Sequence, residues 1–263
     1  MEALGKKYNA VLQQTMLRIK DPKVSVPFYE KHFGMQLVHK YDFPQWKFSL
    51  YFLERPSASF EGCGEPGTPT SENYLWNMTG QCTLELTHNH GSEDDPDFSV
   101  WSGNGGRDLP RDSSLFIENG PVRSFGHIAF NVDDVYSYSA ALEEEGVRFQ
   151  KKPDEGRMKG LAFCLDPDGY WIELVARSRS FPGVSANLSQ TMLRVKDAAA
   201  TVDFYQNVMG MQLMRKMEIP NDFTNYFLTS VLTPDEKERY DKEQIDPNST
   251  EASEFTHSLW YPI

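Results

Sequence analysis

The chain has 263 residues, 39% of them hydrophobic and 13% aromatic, with a formal net charge of −12. This composition can build a packed core and excludes a disordered chain. The acidity repels a phosphate backbone, which excludes nucleic acid as a partner. Cys63, Cys82 and Cys164 are odd in number and widely spaced, with no Cys-x-x-Cys pair. That pattern indicates neither a thiolate zinc site nor a disulfide framework, and it fits a reducing compartment. No signal-peptide run opens the chain, and no stretch approaches the ~20 apolar residues of a membrane helix. The expectation is a cytoplasmic protein with no membrane partner.

In chain order, residues 13–19 alternate and read as a strand. Asp21-Pro22 then opens a helix, with Asp as N-cap and Pro in the first turn. The helix runs to about Phe33, where Gly34 suits the C-terminal cap. Strands follow near 36–42 and 46–54. Residues 55–80 are rich in Gly, Pro, Ser and Thr and read as a long loop. A further strand covers 81–88, giving strand, helix and three strands in succession. The same order returns with a strand at 125–132, a helix capped by Asp133 or Asp134 and ending at Gly146, and strands near 147–151, 160–166 and 170–176. Asp166-Pro-Asp-Gly169 marks the last turn. Residues 177–187 read as a linker.

A third unit begins at about Leu188 and repeats the first in sequence. Gln14-Thr-Met-Leu-Arg-Ile-Lys-Asp21 returns as Gln190-Thr-Met-Leu-Arg-Val-Lys-Asp197. Phe28-Tyr29, Gly34-Met-Gln-Leu37 and Tyr51-Phe-Leu53 return as Phe204-Tyr205, Gly210-Met-Gln-Leu213 and Tyr226-Phe-Leu228. A near-constant register over this span indicates a duplicated structural unit. The expected architecture is α+β, built from paired βαβββ modules. It comprises a complete domain over 10–176, the linker over 177–187 and a partial second domain over 188–263.

Polar residues interrupt the apolar strands at equivalent places. Gln14 and His127 lie on the first strands of units one and two, and Glu85 and Glu173 on their last strands. Taken singly, a strand Glu is more often solvent-facing, and a strand His more often a hydrogen-bonded structural residue. Four such groups on repeated strands instead form a mixed shell of imidazole, carboxylate and amide oxygen. Such a shell suits Zn²⁺, and also Ni²⁺ or Co²⁺, but no soft thiolate-seeking metal. Arg18 shares a strand face with Gln14, and Asn89 with Glu85, while Arg123 precedes His127 by four residues. Any one of these is an ordinary surface residue; together they suit an anionic, peptide-like ligand.

Several motifs are similar to those of eukaryotic glyoxalase I (lactoylglutathione lyase). They are Gln14-Thr-Met-Leu-Arg18, Leu84-Glu-Leu-Thr-His-Asn89, Phe125-Gly-His-Ile128, the segment Lys152 to Phe163, and Asp166-Pro-Asp-Gly-Tyr-Trp-Ile-Glu173. The resemblance covers residues 10–176 and resumes over 188–230, and it places the fold in the vicinal oxygen chelate superfamily. It implies Gln14, Glu85, His127 and Glu173 as metal ligands, with Glu173 and Glu85 as the catalytic carboxylates. It implies Gln14, Arg18, Asn89, Arg123 and His127 around the substrate, with Arg157 and Met158 contacting it from a closing loop. The implied substrate is the hemithioacetal of methylglyoxal and glutathione, and the implied product is S-D-lactoylglutathione. Gln14 in the first ligand position argues against an extradiol dioxygenase, and the Arg/Asn set argues against an epimerase.

The resemblance also implies that each metal site joins one Gln/Glu half to one His/Glu half. The repeat at Gln190 indicates the fused form of the family. Ser258-Leu-Trp260 is similar to Tyr74-Leu-Trp76, and Glu85 follows Trp76 by nine residues. The third unit is therefore expected to stop before its own ligand Glu, with the fourth absent. The readings that follow are a truncated chain, a homodimer through the N-terminal halves, or a non-catalytic binding remnant.

Overall fold

The computed structural model describes residues 3–55, 63–77, 82–104, 116–117, 120–121, 124–176 and 186–230. The chain divides into two compact units, Gln13–Arg194 and a second made of Met1–Leu12 with Val195–Ile263. The smaller unit begins with α1 (Leu4–Lys7).

The larger unit opens with β1 (Gln14–Ile19) and α2 (Pro22–Phe33). The Asp21 carboxylate accepts the Lys23 backbone N–H and Pro22 occupies the first turn. Gly34 ends α2 in the left-handed conformation at φ 64°, where a side chain would be strained. β2 (Gln36–Phe43) and β3 (Phe48–Glu54) form a hairpin. β3 starts two residues later than expected, because Pro44–Trp46 forms a 3₁₀ turn closed by Lys47 at positive φ.

The expected loop 55–80 contains a helix, α3 (Pro69–Asn77). Its local signals were present: Thr68 Oγ1 accepts the Ser71 N–H, Pro69 fills the first turn, and Leu75 is fully buried. The Gly- and Pro-rich residues before it, averaged into one window, hid a nine-residue amphipathic segment. β4 (Thr83–Asn89) completes the first module. A two-stranded ribbon follows, β5 (Phe116–Ile117) with β6 (Gly120–Pro121).

The second module repeats the pattern with β7 (Phe125–Val132), α4 (Val135–Glu144), β8 (Phe149–Lys151), β9 (Leu161–Leu165) and β10 (Trp171–Ala176). Asp134 is the N-cap of α4 and accepts the Ser137 N–H at 2.7 Å. Asp134→Ala orphans that donor and is expected to lower stability by about 1 kcal/mol, read as a reduced urea midpoint with unchanged slope.

The sheets follow from these modules. The first has the order β1-β4-β3-β2, with β1 parallel to β4 and the remaining pairs antiparallel. The second contains β7, β10, β9 and β8, with β7 parallel to β10. Its outer edge takes a further strand, β11 (Ala186–Leu193), antiparallel to β7. The first strand of the third sequence unit thus lies in the sheet of the second. The larger compact unit thus extends through β11 to Arg194; residues 177–185 lie outside the described set.

The modules share one core. Val26, Tyr29 and Phe33 of α2 pack with Leu17, Ile19, Leu84 and Leu86 of the first sheet and with Ile128, Phe130 and Val132 of the second. Ala186 and Leu188 of β11 belong to the same cluster. Polar groups lock the seam: Tyr29 donates to Asp166 Oδ2 at 2.9 Å, while Asp168 accepts the Lys20 N–H and the Ser25 hydroxyl, both at 2.9 Å.

Asp166 is 1% exposed. Burial, then the neighbouring Asp168 charge, pushes its carboxyl up from 3.8 to about 7, against the N–H and O–H groups that favour the carboxylate. The unfolded chain releases this proton near 3.8 and the folded chain only near 7. The folded state therefore binds more protons between those values, and stability falls as pH rises through that window. Asp166→Asn keeps an acceptor for the Asp168 and Tyr170 N–H groups and removes the charge. The stability of wild type relative to this variant is expected to drop by about 2–4 kcal/mol from pH ~4 to ~7, measured by urea unfolding at intervals across the range. A pH-independent difference would refute the assignment.

In the smaller unit, Asp197 caps α5 (Ala198–Asp203), a π-helical turn spans Phe204–Val208, and β12 (Gln212–Ile219) pairs with β13 (Phe223–Thr229). Gly5 is required there: a Cβ would stand 1.7 Å from the Met209 carbonyl oxygen. The segment 231–263, including Ser258-Leu-Trp260, lies outside the described residues. No helix among the described residues is long and apolar enough to cross a membrane.

Candidate metal and substrate site

Parallel pairing of β1 with β4 sets Met16 opposite Glu85 and Gln14 opposite Thr83, so Gln14 and Glu85 share one face. Gln14 Nε2 donates to Glu85 Oε2. Glu85 is 8% exposed, and its other oxygen accepts the Thr87 hydroxyl at 3.1 Å. Burial raises its pKa against the opposing pull of Thr87 and Arg18. Gln14 Oε1 is buried with no hydrogen-bond partner. A buried acceptor left open costs on the order of 1–3 kcal/mol, and an amide oxygen beside a carboxylate is the arrangement a hard or borderline cation satisfies. Further along the same face, Arg18 Nη1 donates to Asn89 Oδ1 at 2.6 Å.

The second pair forms in the same way. Glu173 and Ala129 are partners between β10 and β7, which brings His127 Nε2 within 3.1 Å of Glu173 Oε2. Both side chains are nearly buried, and the His127 ring lies edge-on to Phe163 at 5.3 Å. Gln190 on β11 donates to the same Glu173 oxygen at 3.0 Å. The repeat thus places Gln190 against Glu173 as Gln14 stands against Glu85.

The expected quartet is therefore divided. Among the described residues no group of three or more His, Cys, Asp or Glu comes together. Glu85 with Gln14 forms one half-site, and Glu173 with His127 and Gln190 another. The first supplies oxygen donors and the second an imidazole nitrogen with oxygen donors, both of which fit a divalent cation, but neither alone supplies a full shell. Arg157 and Met158 sit exposed in the loop joining β8 to β9. Arg123 lies outside the described residues. Lys151 was not singled out from sequence: its ammonium donates to the Leu161 carbonyl at 2.5 Å and feels the Glu173 charge, while burial lowers its pKa. A lysine at a strand end carries no signal that separates it from a solvated one. The cavity lined by His39, Tyr41, Pro66 and Glu72 includes neither half-site in its walls.

This fold of paired βαβββ modules, with carboxylates at equivalent strand positions, defines a class. The chain belongs to the Glyoxalase/Bleomycin resistance protein/Dioxygenase superfamily, whose model matches residues 11–174 and 187–254. Within it, the chain is 42% identical over 224 residues to glyoxalase I of Saccharomyces cerevisiae, an alignment covering 83% of this chain and 62% of that protein. It is 39% identical to lactoylglutathione lyase of Schizosaccharomyces pombe, covering 89% and 70% respectively. The crystal structure of glyoxalase I from Zea mays superposes with a TM-score of 0.58 at 28% identity, covering 83% of this chain and 62% of that one. The chain thus spans about three fifths of the length of the yeast and maize proteins.

Proposed function

We propose that this protein is a lactoylglutathione lyase, isomerising the hemithioacetal of methylglyoxal and glutathione to S-D-lactoylglutathione in the cytoplasm. The observation that carries the reading is the equivalent pairing of Gln14 with Glu85 and of His127 and Gln190 with Glu173, with the buried Gln14 Oε1 left open for a cation. Gln14, Glu85, His127 and Glu173 would hold the metal, for which Zn²⁺ is favoured and Ni²⁺ or Co²⁺ also suits the donors. When bound, the ion supplies positive charge that stabilises negative charge developing on the two vicinal substrate oxygens.

The remaining work falls to the chain's own residues. Glu173 takes the proton from the carbon bearing sulfur, and that proton is delivered to the adjacent former carbonyl carbon. The hydroxyl proton on the first carbon passes to the oxygen on the second, so the first becomes the thioester carbonyl, the second the hydroxyl carbon, and the step is redox-neutral. Arg18, Asn89 and Arg123 hold the carboxylates and amides of glutathione, while Arg157 and Met158 close over it. A complete site joins a Gln/Glu half to a His/Glu half, and a homodimer through the N-terminal halves would provide two.

The test is thioester formation followed by ultraviolet absorbance, on folded full-length protein with Zn²⁺ or Ni²⁺ added. Turnover with either metal supports the reading. No turnover with both would favour a binding protein, a reading that the division of the quartet also allows.

A further inference from the structure

We infer that Asn104 is a positioning residue that fixes Arg194 as the anion-recognising group of the His127, Glu173 and Gln190 half-site. The inference rests on the proposed reading of that half-site and says how it recognises a carboxylate-bearing peptide such as glutathione. In the first module Gln14 meets Glu85, and four residues after Gln14 the Arg18 guanidinium donates to Asn89 Oδ1 at 2.6 Å. Glu85 and Asn89 come from one strand, β4. The repeated segment Gln190-Thr-Met-Leu-Arg194 reproduces both kinds of contact. Gln190 meets Glu173, and Arg194 Nη2 donates to Asn104 Oδ1 at 2.8 Å. The second amide has a different origin. Four residues after Glu173 the sequence carries Arg177, not asparagine. Asn104, from the segment that follows β4, supplies the amide instead, so no repeat in the sequence marks it.

Asn104 is itself anchored on β7. Its Nδ2 donates to the carbonyl of Gly126, the residue before His127. Gly103, at φ 77°, lets this backbone lie against the strand: an added Cβ would stand 2.1 Å from the Phe125 carbonyl oxygen. Arg194 Nη1 donates to that same oxygen at 2.9 Å. Both acceptors, amide and backbone carbonyl, are neutral, so they set the direction of the guanidinium fork without cancelling its charge. A carboxylate at position 104 would grip the guanidinium more strongly but neutralise it. The chain carries a net charge of −12, which repels an anionic peptide at long range. A guanidinium that keeps both its charge and its direction therefore decides where a ligand carboxylate settles.

The test is calorimetric titration of the full chain with two probes, S-hexylglutathione and its diethyl ester, which lacks the carboxylate charges. An Arg18→Ala background removes the equivalent guanidinium of the first half-site. In that background Asn104→Ala should weaken S-hexylglutathione binding by about tenfold, the size of one charge-assisted hydrogen bond, and leave the diester unchanged. Asn104→Asp, which keeps an acceptor for Arg194 but adds a negative charge, should weaken the anionic probe at least as much. A merely structural role would lower both probes together. Equal loss for both, no loss for either, or an Arg18→Ala chain that binds neither probe overturns the inference. If the Asn104 variants do not fold, Arg194→Lys keeps the charge and loses the fork that Asn104 directs: the same selective loss supports the inference, and unchanged affinity overturns it. Selective loss in a protein without turnover would leave this inference standing and refute the lyase reading. Turnover with a KM that Asn104→Ala does not change would do the reverse.

Discussion

Glu173→Gln is expected to lower kcat by about a thousandfold or more, the range for loss of a positioned general base. The substitution preserves shape and leaves an amide that can still meet Gln190 and His127, so the fold should be retained. On the proposed reading it removes the proton acceptor, together with one carboxylate of the half-site. Glu173 is the point where this half-site converges, since both the imidazole and the Gln190 amide reach its Oε2. Measuring metal content alongside kcat separates the two roles. A variant that binds Zn²⁺ as wild type does yet turns over normally would refute Glu173 as the base. A variant that loses metal and activity together would show that its charge acts first through the ion. Arg18→Ala, by contrast, should raise KM more than it lowers kcat, because in the proposed function Arg18 is a binding group shared by ground and transition states.

Phe33→Ala is expected to cost about 3–5 kcal/mol, which is a large share of the 5–15 kcal/mol that holds a typical domain together. Phe33 is fully buried at the end of α2, and its ring centroid lies 4.3 Å from that of Phe130 on β7. It also meets Phe28, Tyr29 and Tyr138. The lost side chain therefore opens a cavity at the seam between the two modules, where neither sheet can collapse into it independently. Denaturant unfolding followed by both fluorescence and circular dichroism should show one transition at a lower midpoint. A loss below about 1 kcal/mol would mean that the seam repacks, and two separated transitions would mean that the modules do not share a core.

Much of this architecture is legible locally. Asp21 with Pro22, Asp134, and the glycines at 34 and 146 mark helix ends through hydrogen bonds and backbone angles within a few residues of each other. Alternation in Thr15-Met-Leu-Arg-Ile19 reports a strand with one buried face. α3 was obscured only because its neighbours are loop-forming. Gln14, Glu85, His127 and Glu173 stood out because they interrupt apolar strands at equivalent places in repeated units, where a polar group is costly unless partnered. Their division into two pairs was expected from the repeat, and the structure brings together Gln14 with Glu85 and His127 with Glu173.

By itself the amino-acid sequence determined the modules, their caps and turns, and which polar groups interrupt which strands, because those features depend on contacts over a few residues. The tertiary structure alone decided strand partnership. β1 and β11 carry the same Gln-Thr-Met-Leu sequence, yet β1 runs parallel to β4 while β11 runs antiparallel to β7. Identical local sequences have identical local preferences, so the difference comes from the surface each strand meets. For β1 that surface is the sheet of its own module, and for β11 it is an open β7 edge over a core that Ala186 and Leu188 complete. The same distinction determines which amide stands beside which carboxylate, and hence where a metal site can form.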